Sequence, residues 1–251
     1  MKVVILAGGL GSRLSELTKS VPKPMVKIGH IPIVVHIMKH YIKYGFNEFI
    51  LATGYKSFVF KKYFKNFKKN GVFFDSKILK KKCRICILDT GKNTLTGGRL
   101  KRVGFLIKKN ENFMFTYGDG ISSVNLKKLK NFHLKSKKVI TVTAVRPPAR
   151  FGEILIKNKI VSSFKEKPQV KNGWINGGFF VASKNFLKFI KGDMDILEKS
   201  PLEKVTKIKQ LAAYKHIGFW KCMDVKRDRD ELLKIYKKNN FNFTKLSCDK
   251  N

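Results

Sequence analysis

The sequence predicts an α/β protein, a Rossmann-like and mostly parallel sheet flanked by helices, with a β-rich extension behind it. Two observations carry that prediction. Short apolar runs alternate with helical-period stretches up to about residue 146, the pattern of strand–helix units in a parallel sheet. After Pro147-Pro148 the pattern turns to hairpin-like strands before it returns to helices.

Taken in order, "VVILA" (3–7) reads as a buried strand. Gly8, Gly9 and Gly11 then form a loop with few side chains, and Ser12 to Thr18 reads as the first helical turns, stopped before Pro22. "PIVVHIMKHYIKYG" is a helix closed by Gly45, and "EFILAT" a strand ending at Gly54. "FVFKKYFKNFKKNG" (58–71) has aromatics at helical spacing and is expected to be an amphipathic helix whose rings serve the core. "RICILDTG" is a strand, "TGGRLKRVGFLIKK" a loop and helix, and "NFMFTYGDG" a strand running into an acidic loop. "LKKLKNFHLKS" reads as helix and "KVITVTAV" as strand. In the second half "GEILIKNKIVSSFKEKP" reads as a hairpin, "INGGFFVAS" as a strand, and "AAYKH" as a short strand after further helices. No Gly/Ser/Pro linker divides the halves, so the 251 residues are read as a single domain, about 1–146 its core and about 147–251 a substrate-facing extension with C-terminal helices.

Composition narrows the function. The net charge is +37, yet 46 of the 54 basic residues are lysines spread along the whole chain. Base readout favours arginine forks and single-strand binding favours interleaved aromatics; neither pattern is present, so nucleic acid is not expected as the main partner. No apolar run approaches the length of a membrane span, and no secretory leader is apparent, so a cytoplasmic protein without membrane association is expected. Four cysteines do not make a disulfide scaffold. The lone Cys83-Arg84-Ile85-Cys86, if on a strand, points its two thiols to opposite faces, which argues against a metal or redox pair. His36, His133 and His216 are read as structural.

Chemistry concentrates at predicted strand ends, where open parallel sheets bind their ligands. A strand entering a bare-backbone loop at a helix start is a phosphate-binding geometry, because amide hydrogens and the helix dipole both face an anion. The loop is neither the dinucleotide fingerprint, since Leu14 stands where glycine is required, nor a P-loop, since it ends Gly11-Ser12-Arg13. Lys23, held between Pro22 and Pro24, follows it. A second cluster, "LDTGKNTLTGGRLKR", offers Thr94, Gly98 and Arg99. A third, "TYGDG", places Asp119 between two glycines, and one carboxylate at a strand end suits Mg²⁺, which takes few carboxylates alongside phosphate oxygens.

The ordered set "LAGGLGSRL", "KPM", "GYK", "TGGRLKRV", "FTYGDG", "RFGEI", "FKEKP" and "INGGFF" resembles the sugar-phosphate nucleotidyltransferases over nearly the whole chain. "LSEL" and "TGGRLKR" are similar to the cytidylyl branch, although the stretch between "GYK" and "LDTG" is shorter than that branch carries. The resemblance implies a nucleotide-diphospho-sugar transferase fold and Mg²⁺-assisted transfer from CTP to glucose 1-phosphate by a homo-oligomeric enzyme. Another base or sugar (dTTP or GTP, mannose 1-phosphate), or a catalytically silent regulatory or RNA-binding relative, are the competing expectations. It implies nucleotide contacts from Leu6, Ala7, Gly8, Gly9, Leu10, Gly11, Ser12, Arg13, Lys23, Thr94 and Arg99, with Gly118 near the ribose. Arg13 and Lys23 are the expected catalytic cations, and Asp119 with Asp224 the metal pair. An arginine such as Arg99 is expected to serve the O2 and N3 acceptors of cytosine. Lys167 and Glu166 are matched to the sugar phosphate and a sugar hydroxyl, and Asn176, Gly177 and Gly152 to the hexose pocket. Trp174 and Trp220 are open to either sugar stacking or core filling.

Overall fold

The structure, a computed structural model, describes residues 1–64, 68–70, 73–78, 81–146, 153–157, 159–165, 173–240 and 242–246. In chain order the elements are β1 (Val3–Leu6), α1 (Ser15–Thr18), β2 (Lys27–Ile28), β3 (Ile31–Pro32), α2 (Ile33–Lys43), β4 (Glu48–Thr53), α3 (Ser57–Tyr63), β5 (Lys68–Asn70), β6 (Phe73–Ile78) and β7 (Lys81–Asp89). There follow α4 (Thr96–Arg102), β8 (Asn112–Tyr117), β9 (Gly120–Ser122), α5 (Leu126–Ser136), β10 (Ile140–Val145), β11 (Glu153–Lys157) and β12 (Ile160–Lys165). The last are β13 (Ile175–Ser183), α6 (Ser200–Lys207), β14 (Leu211–His216), β15 (Trp220–Cys222) and α7 (Lys226–Lys238).

Nine strands form one sheet in the order β14-β10-β13-β8-β1-β4-β7-β6-β5. Its centre is parallel: β1 pairs with β4 and β8, and β4 with β7. Each residue of β1 is buried because the sheet is covered twice. Val3 and Ile5 enter a core with α2, whereas Val4 and Leu6 enter the opposite core with Leu100 and Val103. That double burial is why the strand is uniformly apolar. The cysteines of β7 divide in the same way, Cys83 into the first core and Cys86 into the second, as the strand periodicity requires.

Two features depart from a simple parallel sheet. β13 lies antiparallel between β8 and β10, so the second half of the chain completes the sheet as well as extending it. β14 then pairs parallel to β10. The helix expected over 58–71 ends at Tyr63, and residues 68–70 form β5, antiparallel to β6. Pairing at a sheet edge overrides helical periodicity there, since propensity is a weak prior against a tertiary partner. The expected hairpin forms as β11–β12. No described helix is long and apolar enough to cross a membrane.

The chain leaves β1 towards β4 and β7 on one side and later places β8 on the other. The loops after β1 and β8 therefore diverge, and this switch point is where a doubly wound sheet opens a crevice.

Candidate active site

A cleft of about 600 Å³ opens at that point, a volume within the range of small-molecule sites. Its wall begins with the loop after β1. The amides of Gly8, Gly9, Leu10 and Gly11 have no backbone acceptor among the described residues. Gly11 adopts φ +67°, where a side chain would be strained. The helix expected from Ser12 is two short pieces, a 3-10 turn over Ser12–Leu14 and a single α turn in α1. The amides of the glycine loop, more than a long helix dipole, thus supply the positive field.

Lys23 stands in a 3-10 turn (Lys23–Met25) closed by the Met25 amide donating to the Pro22 carbonyl at 2.8 Å. Its Nζ donates to Asp119 Oδ2 at 2.5 Å and to Asp224 Oδ1 at 2.7 Å. Burial works against its charge, but the two carboxylates outweigh that and raise its pKa. For Asp224, too, burial is opposed: Lys23 and then Arg13 hold the carboxyl below its ordinary range. Two aspartates so far apart in sequence meet because β9 and β15 pair, with Gly120 opposite Cys222 and the Met223 amide donating to the Asp119 carbonyl at 2.9 Å. Among the described residues no set of three His, Cys, Asp or Glu side chains converges; Asp119 and Asp224 are two carboxylates brought together on Lys23. Arg13 reaches Asp224 at 3.8 Å with a side chain 79% exposed, an arm free to meet an incoming anion.

Arg99 differs from expectation. It is 3% exposed, and its fork donates to the carbonyls of Gly8 (2.9 Å), Thr53 (3.0 Å), Gly91 (2.7 Å) and Lys92 (3.2 Å) and to Thr90 Oγ1 (2.8 Å). It touches the cleft wall, but its terminal donors tie the glycine loop to the loops after β4 and β7. Burial lowers its pKa. Gly8 is glycine for this reason: a Cβ there would lie 2.1 Å from Arg99 Nη1.

Of the other expected residues, Leu6, Ala7, Ser12, Thr94, Gly118 and Asn176 line the cleft. Leu10 and Gly177 do not. Leu10 is 53% exposed outside the wall, and Gly177 is buried against Val145. Gly177 instead accepts at its carbonyl from Trp220 Nε1 at 2.7 Å, and Trp220 both lines the cleft and packs against the first core. Trp174 lies under the Arg146 guanidinium at 4.6 Å. Gly152, Glu166 and Lys167 fall outside the described residues. His36 contacts the Ile28 carbonyl at 2.9 Å, His133 the Thr141 hydroxyl at 2.9 Å and His216 the Phe219 carbonyl at 3.2 Å, all structural as expected. Sequence reasoning missed Tyr117, Thr96 and Glu198 in the wall. Tyr117 adjoins the acidic loop that was recognised, but Glu198 had no nearby motif to signal it.

A glycine loop with open amides, a fixed ammonium and paired carboxylates lie together on one crevice. The nucleotidyl transferase family profile matches residues 2–221, and the chain belongs to that family of enzymes. It is 43% identical over 248 residues to glucose-1-phosphate cytidylyltransferase of Salmonella typhimurium, spanning 95% of this chain and 96% of that one. It is 38% identical over 246 residues to probable glucose-1-phosphate cytidylyltransferase of Bacillus subtilis, spanning 94% and 96%. In fold it is similar to HddC from Yersinia pseudotuberculosis complexed with GMP-PN, with a TM-score of 0.70 and 24% identity over 94% of this chain and 99% of that one.

Proposed function

We propose that the chain transfers the cytidylyl group of CTP to glucose 1-phosphate, giving CDP-glucose and pyrophosphate. One observation carries this reading: the open amides after β1, Lys23 and the Asp119–Asp224 pair converge on one cleft. The 43% identity to a cytidylyltransferase supports the choice of base and sugar.

The nucleophile, an oxygen of the sugar phosphate, is already ionised near neutral pH. The reaction therefore needs no general base; it needs two anions held in line. The sugar phosphate oxygen bonds to the α-phosphorus, the bond from that phosphorus to the bridging oxygen breaks, and the pair of electrons leaves on pyrophosphate. Loop amides from Gly8 to Gly11 receive the triphosphate, and Arg13 swings to the leaving β- and γ-phosphates as a permanent cation. Lys23 faces the α-phosphate, where charge builds as the bond changes. Asp119 and Asp224 fit Mg²⁺ as the donor pair, two hard carboxylate oxygens beside a phosphate site. When bound, Mg²⁺ would neutralise phosphate oxygens. Lys167 and Glu166 are assigned to the sugar phosphate and a sugar hydroxyl.

The test is pyrophosphate release from CTP, UTP, dTTP, GTP and ATP, each offered with glucose 1-phosphate or mannose 1-phosphate. CTP with glucose 1-phosphate is expected to give the highest kcat/KM. A preference for dTTP or GTP refutes the base assignment, and no release from any pair refutes the enzymatic reading.

A further inference from the structure

We infer that Glu198 is a specificity residue that accepts hydrogen bonds from a vicinal hydroxyl pair on one of the two substrates; this rests on the reaction proposed above.

In a chain of net charge +37, an acidic side chain in an anion-binding cleft calls for an explanation. Glu198 lines the cleft, is exposed, and has no ion pair among the described residues. It cannot serve phosphate, which it repels, so its complement must be a neutral donor.

The side chain is held in place from both sides. Thr96 Oγ1 donates to Oε2 at 3.0 Å, and the Tyr117 hydroxyl donates to Oε1. Each oxygen so fixed keeps further acceptor capacity, since an ionised carboxylate has about four lone-pair positions. The carboxylate so held stands on the cleft wall, and its two oxygens can accept from two adjacent hydroxyls on a ring. Tyr117 also joins Glu198 to the sugar side, accepting from Asn176 Nδ2 at 3.4 Å and bordering Gly118.

The backbone is built to deliver this carboxylate. Residues 193–198 run across the start of α4, with the Leu95 amide donating to the Asp193 carbonyl (2.8 Å) and the Gly97 amide to the Asp195 carbonyl (2.9 Å). The Leu197 amide donates to Thr96 Oγ1 at 2.9 Å, and Arg102 clamps Asp193. A Cβ on Gly98 would lie 2.4 Å from the Asp193 carbonyl oxygen, and one on Gly97 would lie 2.8 Å from that of Asp195. The glycine pair of "TGGRLKR" thus makes room for the segment that carries Glu198.

Vicinal hydroxyls are available on the ribose and on the hexose, and the assay separates the two substrates. Wild type and Glu198→Gln are compared with CTP, 2′-deoxy-CTP and 3′-deoxy-CTP, and with glucose 1-phosphate lacking its 2-, 3- or 4-hydroxyl. Wild type is expected to lose roughly tenfold or more in kcat/KM within one of these sets, the range for a hydrogen bond to a charged group. Glu198→Gln should lower kcat/KM for the full substrate and abolish most of that discrimination, in that set alone. A purely structural role would lower all substrates by one common factor, and that outcome overturns the inference. So does wild type that is indifferent to every hydroxyl, a result that needs no variant. Tyr117→Phe, which frees the carboxylate without removing it, should weaken the same discrimination. Wild type that makes no CDP-glucose at all would instead count against the proposed reaction.

Discussion

Replacing Arg99 with methionine separates two roles for this arginine. The side chain donates five hydrogen bonds, three of them buried: to the Thr53 carbonyl, Thr90 Oγ1 and the Gly8 carbonyl. Hydrogen bonds from a charged donor contribute about 1.5–3 kcal/mol each, but the losses here do not add. The Thr53 carbonyl keeps the Thr90 hydroxyl at 2.6 Å and the Gly8 carbonyl keeps the Tyr55 amide at 3.2 Å. The acceptors on Gly91 and Lys92 are only partly buried and water can replace the donor. Relief of the buried charge offsets a further part. A net loss of about 3 kcal/mol follows, which for a chain of this size lowers Tm by about 6–12 °C. Arg99→Lys should fall between, since one ammonium cannot span acceptors on three segments. Thermal melts followed by circular dichroism measure the loss, and the ratio of kcat/KM for CTP over UTP measures base choice. Arg99→Met should melt early, bind both triphosphates weakly, and keep whatever base preference remains. An unchanged Tm together with a CTP:UTP ratio falling towards one would refute the loop-tying role and restore the fork as a reader of the base.

Lys23→Ala removes the cation facing the α-phosphate and should lower kcat by roughly 10² or more; full turnover by the purified variant would remove Lys23 from the mechanism. Gly98→Ala forces a Cβ to within 2.5 Å of the Asp193 Cα. Overpacking of that kind costs about 1–3 kcal/mol and should raise hydrogen exchange across residues 193–198, with unaltered exchange as the contrary result. His36 and His40 are buried neutral, their pKa values lowered by burial from 6.5 to about 4. Between those values the unfolded chain binds more protons, so stability rises with pH through that window and falls on acidification, by up to about 3 kcal/mol for each ring. Urea midpoints from pH 4 to 7 measure this; His40→Gln should flatten the curve by about one proton, and an identical slope would exclude His40 as a contributor.

Much of this molecule was legible in one dimension because its physics is local. A short, uniformly apolar run announces a strand buried on both faces, and β1 is that strand. Glycine at 8 and 11 and a proline-flanked Lys23 announce a phosphate loop and a fixed cation, because backbone freedom and rigidity belong to the residues themselves. The Asp119–Asp224 pair was legible only through resemblance, since nothing in two distant segments says that β9 and β15 will pair. Three things were decided by the tertiary structure alone. Residues 68–70 became an edge strand because β6 offered a partner. The Arg99 fork turned inward because four loop carbonyls surround it. Glu198 reached the cleft because two glycines on another helix let its segment pass. Sequence fixes what each residue can do, whereas long-range packing chooses which neighbours it does it with, and a hydrogen-bond donor is defined by its neighbours.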